Sequence, residues 1–390
     1  MKTFCEFFAG VGLVREGLSK FGWHCSWAND ISSDKKDTYC ANFGQEDFWL
    51  GDVWNALSDE SSLPNQSFLY TASFPCTDLS VAGNRAGLAG DESGTLNAVF
   101  EVLIEKKRQD CLPKVVLLEN VKGFLTSHNG LDVIQTVKCF SELGYYVDII
   151  ELDAIDFTPQ SRPRVFCVAV LASLANKVMS IKANNSEEWW SLFNKAPELR
   201  SNKLRAIIEK SNNLNWGLFN LSAPAPTQQR LRDVVEDIPL TSKRWWDAER
   251  KEHLYNQMSD NHKAALNSMI KSLENQYGTV YRRMRKGKSM AELRTDGFAG
   301  CLRTPRGGSS KQIIIQAGQG DWSVRLLTPR EYARLQGVRD SFVLPENDNK
   351  GYFAMGDAVC VPVIEYIAEN ILEKVYGEAI KATSQLEDAA

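Results

Sequence analysis

Histidine is scarce in this chain: His24, His128, His253 and His262 are the only four in 390 residues, and they form no ligand pattern. The nine cysteines never make a CxxC pair. Both shortages count against a metal centre, and thiols without a secretory leader layout suit a reducing compartment better than a disulfide framework. No apolar run approaches the roughly 18 residues of a membrane span. Met1-Lys2-Thr3-Phe4-Cys5 leads directly into a strand-like segment rather than a signal peptide. The expectation is a cytoplasmic chain with neither metal nor membrane partner, monomeric by default. A surplus of positive charge is missing too. The formal net charge is -4 and the pI near 5.8, so any case for nucleic acid must be local.

One window does reverse sign. Residues 281–311 hold nine basic residues against Glu292 and Asp296, a local balance of +7. Most charge runs are only solvated faces. The glycines and serines at Gly297, Gly300, Gly307, Gly308, Ser309 and Ser310 favour a loop-borne surface that contacts phosphates.

A length of 390 residues exceeds the usual growth limit of one core and predicts two domains. Through the first 170 residues short apolar runs alternate with helix-like stretches, the pattern of βαβ units around a parallel sheet. Strands are predicted at 3–8, 25–29, 48–50, 68–73, 115–119, 147–152 and 164–170. From about residue 171 Asn, Ser, Lys and Trp rise and the strand rhythm fades. Regular patterning returns at Thr328-Pro329-Arg330-Glu331, a helix start with Pro in its first turn. The predicted architecture is α/β: a Rossmann-like sheet with helices on both faces, formed by residues 1–172 and 352–390, plus a smaller irregular domain at 173–351.

An open α/β sheet binds ligands beyond the carboxyl ends of its strands, so the residues after each run matter most. The first strand ends in Phe8-Ala9-Gly10-Val11-Gly12, the second in Asn29-Asp30, and Gly51-Asp52-Val53 follows the third. Glycines let backbone approach a ligand closely, and the acidic strand ends suit ribose hydroxyls. A glycine turn alone is as often a bare βα connection, but three such strand ends in a row describe an adenosine site. The fourth strand ends in Ser73-Phe74-Pro75-Cys76 and the next in Glu119-Asn120-Val121. Parallel neighbours place thiol and carboxylate on one rim. A thiolate attacking carbon 6 of cytosine makes carbon 5 nucleophilic once ring nitrogen 3 is protonated, and Glu119 is the group to hold or deliver that proton.

In order, these motifs resemble the DNA (cytosine-5) methyltransferase family over nearly the whole chain. Phe8-Ala9-Gly10-Val11-Gly12 resembles its cofactor loop, Asn29-Asp30 and Asp52 its ribose and adenine contacts, and Phe74-Pro75-Cys76 its nucleophile loop. Glu119-Asn120-Val121 is similar to its acid motif and Gln160-Ser161-Arg162-Pro163-Arg164 to its Gln-x-Arg-x-Arg motif. The run Arg325 to Gly337 and Gly356-Asp357-Ala358-Val359 resemble its late motifs. Four positions depart from the pattern: Leu13, Thr77, Ser93 and Asp357 stand where Gly, Gln, Arg and Asn are usual. They bear on rate and cofactor affinity rather than on reaction type.

The resemblance implies methyl transfer from S-adenosylmethionine to carbon 5 of a flipped cytosine in a specific duplex DNA sequence, by a bacterial or phage modification enzyme with or without a partner restriction endonuclease. Its catalytic set is Cys76, Glu119, Arg162 and Arg164, one arginine contacting the base or its activating carboxylate and the other supporting the nucleophile loop. The cofactor set is Phe8, Ala9, Gly10, Val11, Gly12, Asp30, Asp52, Val53, Pro75, Leu96, Asp357 and Ala358. For DNA it implies Ser80, Arg85 and Gln160, to which the basic window adds Lys286, Lys288, Thr304, Arg306, Gly307 and Gly308. The loop 81–90, with three glycines, is the expected lid over the extruded base. One rival stays within the fold, a tRNA-methylating branch; a second is of another class, a catalytically silent DNA-binding relative. A zinc cytosine deaminase is rejected because position 79 is Leu79, not the second cysteine that site requires.

Overall fold

The computed structural model describes residues 1–75, 90, 93–182, 187–285, 287–304 and 311–387. Cys76, Thr77, Ser80, Arg85, Lys286, Arg306, Gly307, Gly308 and nearly all of the expected lid lie outside the described residues. The chain divides into two compact units.

The first unit comprises 1–152, 163–224 and 363–390. Its sheet has seven strands: β1 (Thr3–Phe7), β2 (His24–Asp30), β3 (Phe48–Leu50), β4 (Leu69–Ser73), β5 (Val115–Val121), β6 (Tyr145–Asp153) and β7 (Pro163–Leu171). They lie in the order β3-β2-β1-β4-β5-β7-β6. The strands from β3 to β5 are parallel, as expected from their long connections. β7 departs from the expected parallel sheet by running antiparallel to β5. The connection between β6 and β7, residues 154–162, is shorter than the dozen or more residues a parallel crossover needs.

Helices α1 (Leu13–Ser19), α2 (Ser33–Phe43), α3 (Leu96–Arg108) and α4 (Leu131–Leu143) follow strands in βαβ fashion. Alternation along β1 sends Cys5 and Phe7 into a core shared with Val99 and Leu103 of α3 and Val137 and Phe140 of α4. Phe4 and Glu6 therefore face the other side, both buried. Helices α5 (Ala172–Val178), α6 (Glu187–Asn194) and α7 (Asn202–Lys210) and the short pair β8 (Ser180–Ile181) and β9 (Gly217–Leu218) complete this insert. Arg200 and Asp148 pin it to β6 through an ion pair at 2.6 Å, only 1% exposed on either side.

The second unit comprises 153–162 and 225–362. These bounds differ from the 173–351 expected: residues 173–224 pack with the first unit, and 153–162 with the second. It contains α8 (Ala248–Asn256), α9 (Asp260–Ile270), β10 (Gln276–Arg285), β11 (Lys288–Arg294), β12 (Ile313–Gly318), β13 (Asp321–Leu326), α10 (Pro329–Leu335) and α11 (Asp348–Asp357). The middle region is less irregular than its sequence suggests: β11-β10-β12-β13 is an antiparallel sheet. One face packs Val280, Ala291, Leu293, Ile313 and Val324 against Leu254, Leu266 and Met269. The other carries charge, which masks the strand period in sequence. At α10, Thr328 and Glu331 form the capping box with Pro329 at the helix start, as predicted. Arg325 and Glu331 pair at 2.6 Å with no exposure.

The chain ends in α12 (Val361–Ile367), a π-helical turn at Ala368–Leu372, and α13 (Glu373–Glu387). The stretch Asp348–Gln385 is long and apolar enough to cross a membrane by length and composition alone. Its most apolar window is 67% buried in the protein, which is how a core helix behaves.

Candidate active site

At the carboxyl end of β1 the backbone bends sharply. Phe8, Gly10 and Gly12 all take positive φ, at 56°, 59° and 83°. Gly12 needs to be glycine twice over, because a Cβ there would lie 2.5 Å from the Phe43 ring. At Gly10 an added Cβ would meet nothing within 4 Å, so the backbone is open on that side. The turn is tied down from β2: the Gly10 N–H donates to Asp30 Oδ2 at 2.9 Å, the Ser32 N–H donates to Oδ1 at 2.9 Å, and the Ala9 N–H donates to the Asn29 carbonyl at 2.7 Å. Asn29 Nδ2 in turn donates to the Gly51 carbonyl at 2.8 Å. Strand ends β1, β2 and β3 are thus laced into one rim.

Of the expected cofactor residues in this unit, Phe8, Gly10, Asp52 and Pro75 keep surface. The carboxylate of Asp52 caps a 3-10 turn by accepting the Trp54 N–H at 3.1 Å. Ala9, Val11, Asp30 and Val53 are buried and shape the rim from behind. Leu96, the first residue of α3, is fully buried in the core. Ile31 was passed over in sequence because an isolated apolar residue carries no signature. It follows Asp30 and is 72% exposed, an apolar surface offered at the strand end.

Behind the turn sits Glu6, a buried carboxyl one of whose oxygens has no hydrogen-bond partner. Burial pushes its pKa up to about 8, while the Arg15 guanidinium draws it down and Asp30 raises it. Arg15 itself donates to Tyr39 Oη at 2.9 Å and pairs with Asp47 at 3.1 Å.

Two strands away lies the second cluster. Ser73 is in register with Glu119 across β4 and β5. Asn120 Nδ2 donates to the Phe74 carbonyl at 3.1 Å, fixing the chain two residues before Cys76. On the other flank, β7 brings Arg164 beside Val121 in register, and Arg164 Nε meets Glu119 Oε1 at 2.9 Å. The two side chains are only 14% and 11% exposed. The reversed strand therefore delivers the guanidinium to the carboxylate: antiparallel pairing puts the start of β7 beside the end of β5.

The remaining expected residues fall in the second unit. Arg162 is buried and donates to four carbonyls: Leu302 at 2.9 Å, Gly356 at 3.1 Å, Asp357 at 3.3 Å and Ala358 at 2.8 Å. Gln160, expected at the DNA, is buried. Its side chain has no exposure, donates to the Leu335 carbonyl at 2.8 Å and accepts the Leu302 N–H at 3.2 Å, so it is a structural crosslink. The side chain of Asp357 is exposed at the end of α11. Gly356 allows residues 303–304 to pass, since a Cβ there would lie 2.7 Å from the Thr304 nitrogen. Thr304 is half-buried, and Lys288 is exposed at the start of β11. Among the described residues no group of three or more His, Cys, Asp or Glu could hold a metal.

An open, mainly parallel sheet that gathers a glycine turn, acidic strand ends and a carboxylate–arginine pair at its carboxyl rim is the layout of an α/β enzyme. The comparisons give the family: the model of C-5 cytosine-specific DNA methylases matches residues 2–373, and the chain belongs to that family. It is thereby a DNA (cytosine-5-)-methyltransferase. It is 28% identical over 373 residues to the Type II methyltransferase M.DsaV of Dactylococcopsis salina, covering 95% of this chain and 86% of that one. To M.HhaI of Haemophilus parahaemolyticus it is 27% identical over 374 residues, covering 94% and 93%. Among solved structures, the Dnmt2 methyltransferase of S. pombe shares the fold with a TM-score of 0.58 at 18% identity, covering 96% of this chain and 99% of that one. A putative DNA modification methyltransferase encoded within an E. coli prophage does so with a TM-score of 0.57 at 19% identity, covering 96% and 100%.

Proposed function

We propose that this chain is a Type II modification methyltransferase that transfers a methyl group from S-adenosylmethionine to carbon 5 of a cytosine flipped out of a specific duplex DNA sequence. The observation that carries the reading is the Glu119–Arg164 pair at 2.9 Å, held on adjoining strands beside the anchored Phe74-Pro75 segment that leads to Cys76. The class is the one named for its relatives, with or without a cognate restriction endonuclease. It acts on DNA in the cytoplasm, with a monomer as the default state.

The residues fit the cofactor. Gly10 is open, the exposed carboxylate of Asp52 is an acceptor for a ribose hydroxyl on a rim that buried Asp30 braces, and Ile31 adds apolar surface. When bound, S-adenosylmethionine supplies an electrophilic methyl group. Cys76 as thiolate forms a bond to carbon 6 of cytosine while Glu119 supplies a proton at ring nitrogen 3, so the electron pair of the 5,6 double bond becomes available at carbon 5. Arg164 holds the Glu119 carboxyl in place and neutralises it between proton transfers. After methylation a base removes the proton from carbon 5, the Cys76–carbon 6 bond breaks, and nitrogen 3 returns its proton to Glu119. The second unit, with residues 225–362 at its heart, is the target-recognition domain. In it Gln160 and Arg162 are positioning residues, and Lys288, Thr304 and Arg306 are the residues assigned to contact DNA.

Denaturing gels of the purified enzyme with S-adenosylmethionine and duplex DNA containing 5-fluorocytosine test this reading. A covalent adduct is expected that disappears in Cys76→Ala. An adduct that survives the substitution, or methyl transfer to tRNA but never to duplex DNA, sinks it.

A further inference from the structure

The basic window has an architecture that its charge alone does not reveal. Among the described residues β12 pairs with β10 as far as Val280, opposite Ile313. Beyond that point the described partner of β10 is β11, in a ribbon from Tyr281 opposite Glu292 to Arg285 opposite Lys288. Side chains alternate across a strand, so Tyr281, Arg283, Arg285, Lys288 and Glu292 share one face. The opposite face is apolar near the base, through Val280, Ala291 and Leu293. Farther out, Met284 on that opposite face is 70% exposed, which shows the ribbon projecting past the helices that cover its base.

The arginines on the charged face are held in fixed planes. Arg285 donates through Nε and Nη2 to Glu292 Oε1 at 3.0 and 2.6 Å, and Arg283 Nε lies 3.2 Å from Glu292 Oε2. The hydrogen bond from Arg285 and the charge of Arg283 hold the Glu292 carboxyl below its ordinary range, so the clamp stays ionised. Arg283 stacks over the Tyr281 ring at 5.1 Å, and Arg303 lies over the same ring at 5.3 Å. Tyr281 thus joins the ribbon to the 303–304 segment. The Arg283 and Arg285 side chains nevertheless remain 55% and 61% exposed.

We infer that this ribbon face is the surface that reads bases in the DNA major groove, with Arg283 and Arg285 determining sequence and Tyr281 positioning them. The inference rests on the proposed function for its partner. A major groove about 12 Å wide admits a two-stranded β-ribbon. Neutralising phosphate needs only a mobile cation, whereas bidentate contact to a base edge needs a guanidinium with a fixed plane. Stacking on Tyr281 and the shared carboxylate of Glu292 supply that fixity. The opposed charge of Glu292 adds a second effect, since it lowers attraction to phosphate in general.

Methylation mapping of duplex DNA by the purified full chain tests this, with kcat/KM measured on the cognate site and on duplexes carrying one changed base pair. Arg283→Gln and Arg285→Gln are each expected to lower discrimination at a base pair by ~10-fold or more, leaving S-adenosylmethionine binding within about twofold of the original. Tyr281→Ala should relax discrimination likewise, and Tyr281→Phe, which keeps the stacking ring, should restore it. A uniform fall on all sequences with a shallower salt dependence would mark the arginines as phosphate contacts and overturn the inference. An unchanged site spectrum would overturn it as well. If the unaltered chain methylates no duplex DNA, the proposed function fails, and this inference with it.

Discussion

Replacing Arg164 by Met keeps the aliphatic stem but removes the partner of Glu119, leaving a carboxylate that is only 11% exposed without its cation. Breaking a buried ion pair from one side costs about 3–5 kcal/mol. Because both side chains keep a little solvent contact, the lower end, ~3 kcal/mol, applies. At about 2–4 °C per kcal/mol for a domain of this size, melting should fall by roughly 6–12 °C. Methyl transfer should fall by at least ~100-fold, the low end for a mispositioned general acid. The double variant Glu119→Gln/Arg164→Met separates the two effects. It removes both charges, so most of the melting temperature should return while activity stays absent. Differential scanning calorimetry and single-turnover methylation read these quantities. If Arg164→Met melts within about 1 °C of the unaltered protein, or forms the 5-fluorocytosine adduct at the original rate, the pair does not have the role assigned to it.

Glu6 offers a pH test. Its carboxyl titrates near 4.5 when unfolded and near 8 in the fold because burial disfavours the charge. Between those values the folded protein holds a proton that the unfolded chain releases. The contribution is therefore intact below about pH 4.5 and gone once pH has risen through 8, falling by about 1.4 kcal/mol per pH unit in between. Glu6→Gln should lose that dependence and gain on the unaltered protein as pH rises, as seen in melting temperatures at pH 6 and 9; parallel curves would contradict it. Gly12→Ala places a Cβ 2.5 Å from Phe43 at a φ of 83°, and should cost about 1–3 kcal/mol and weaken S-adenosylmethionine binding in calorimetric titration. Asn120→Ala frees the Phe74 carbonyl and should slow adduct formation more than it lowers melting temperature. Arg162→Lys cannot serve four carbonyls with one ammonium; proteolysis within 225–362 should accelerate, and unchanged protection would count against its bracing role.

Much of this was readable in advance because it is local. Strand ends announce themselves by a change from apolar runs to Gly, Asp or Pro, which is why the rims at Gly10, Asp30, Asp52 and Glu119 were legible. The direction of β7 was encoded as well, in a connection too short for a crossover. Its consequence, the meeting of Arg164 with Glu119, needed the register across β5. For Leu96 and Gln160 a motif position does not say which way a side chain points: one turns into the core, the other into a web of backbone amides. The sheet of the second unit hid because Arg283, Arg285 and Lys288 occupy the solvent face of its strands, diluting the apolar alternation to half the positions. Tyr281 has no signature at all until Arg283 and Arg303 are found against its ring.

The ten residues 153–162 belong to the second unit although strands of the first flank them on both sides. That unit is therefore not a contiguous cassette. A transplant of 225–362 into a relative would leave Gln160 and Arg162 behind, and the carbonyls of Leu302, Leu335, Gly356, Asp357 and Ala358 would lose the hydrogen bonds those two side chains donate. Exchange of sequence specificity between such enzymes should succeed by swapping a shorter piece, such as the ribbon, that leaves this internal lacing intact. Chimeras cut at the unit's outer borders should recover only when the recipient supplies the equivalent glutamine and arginine. In breeding new specificities the natural unit of inheritance is thus the hairpin, not the domain.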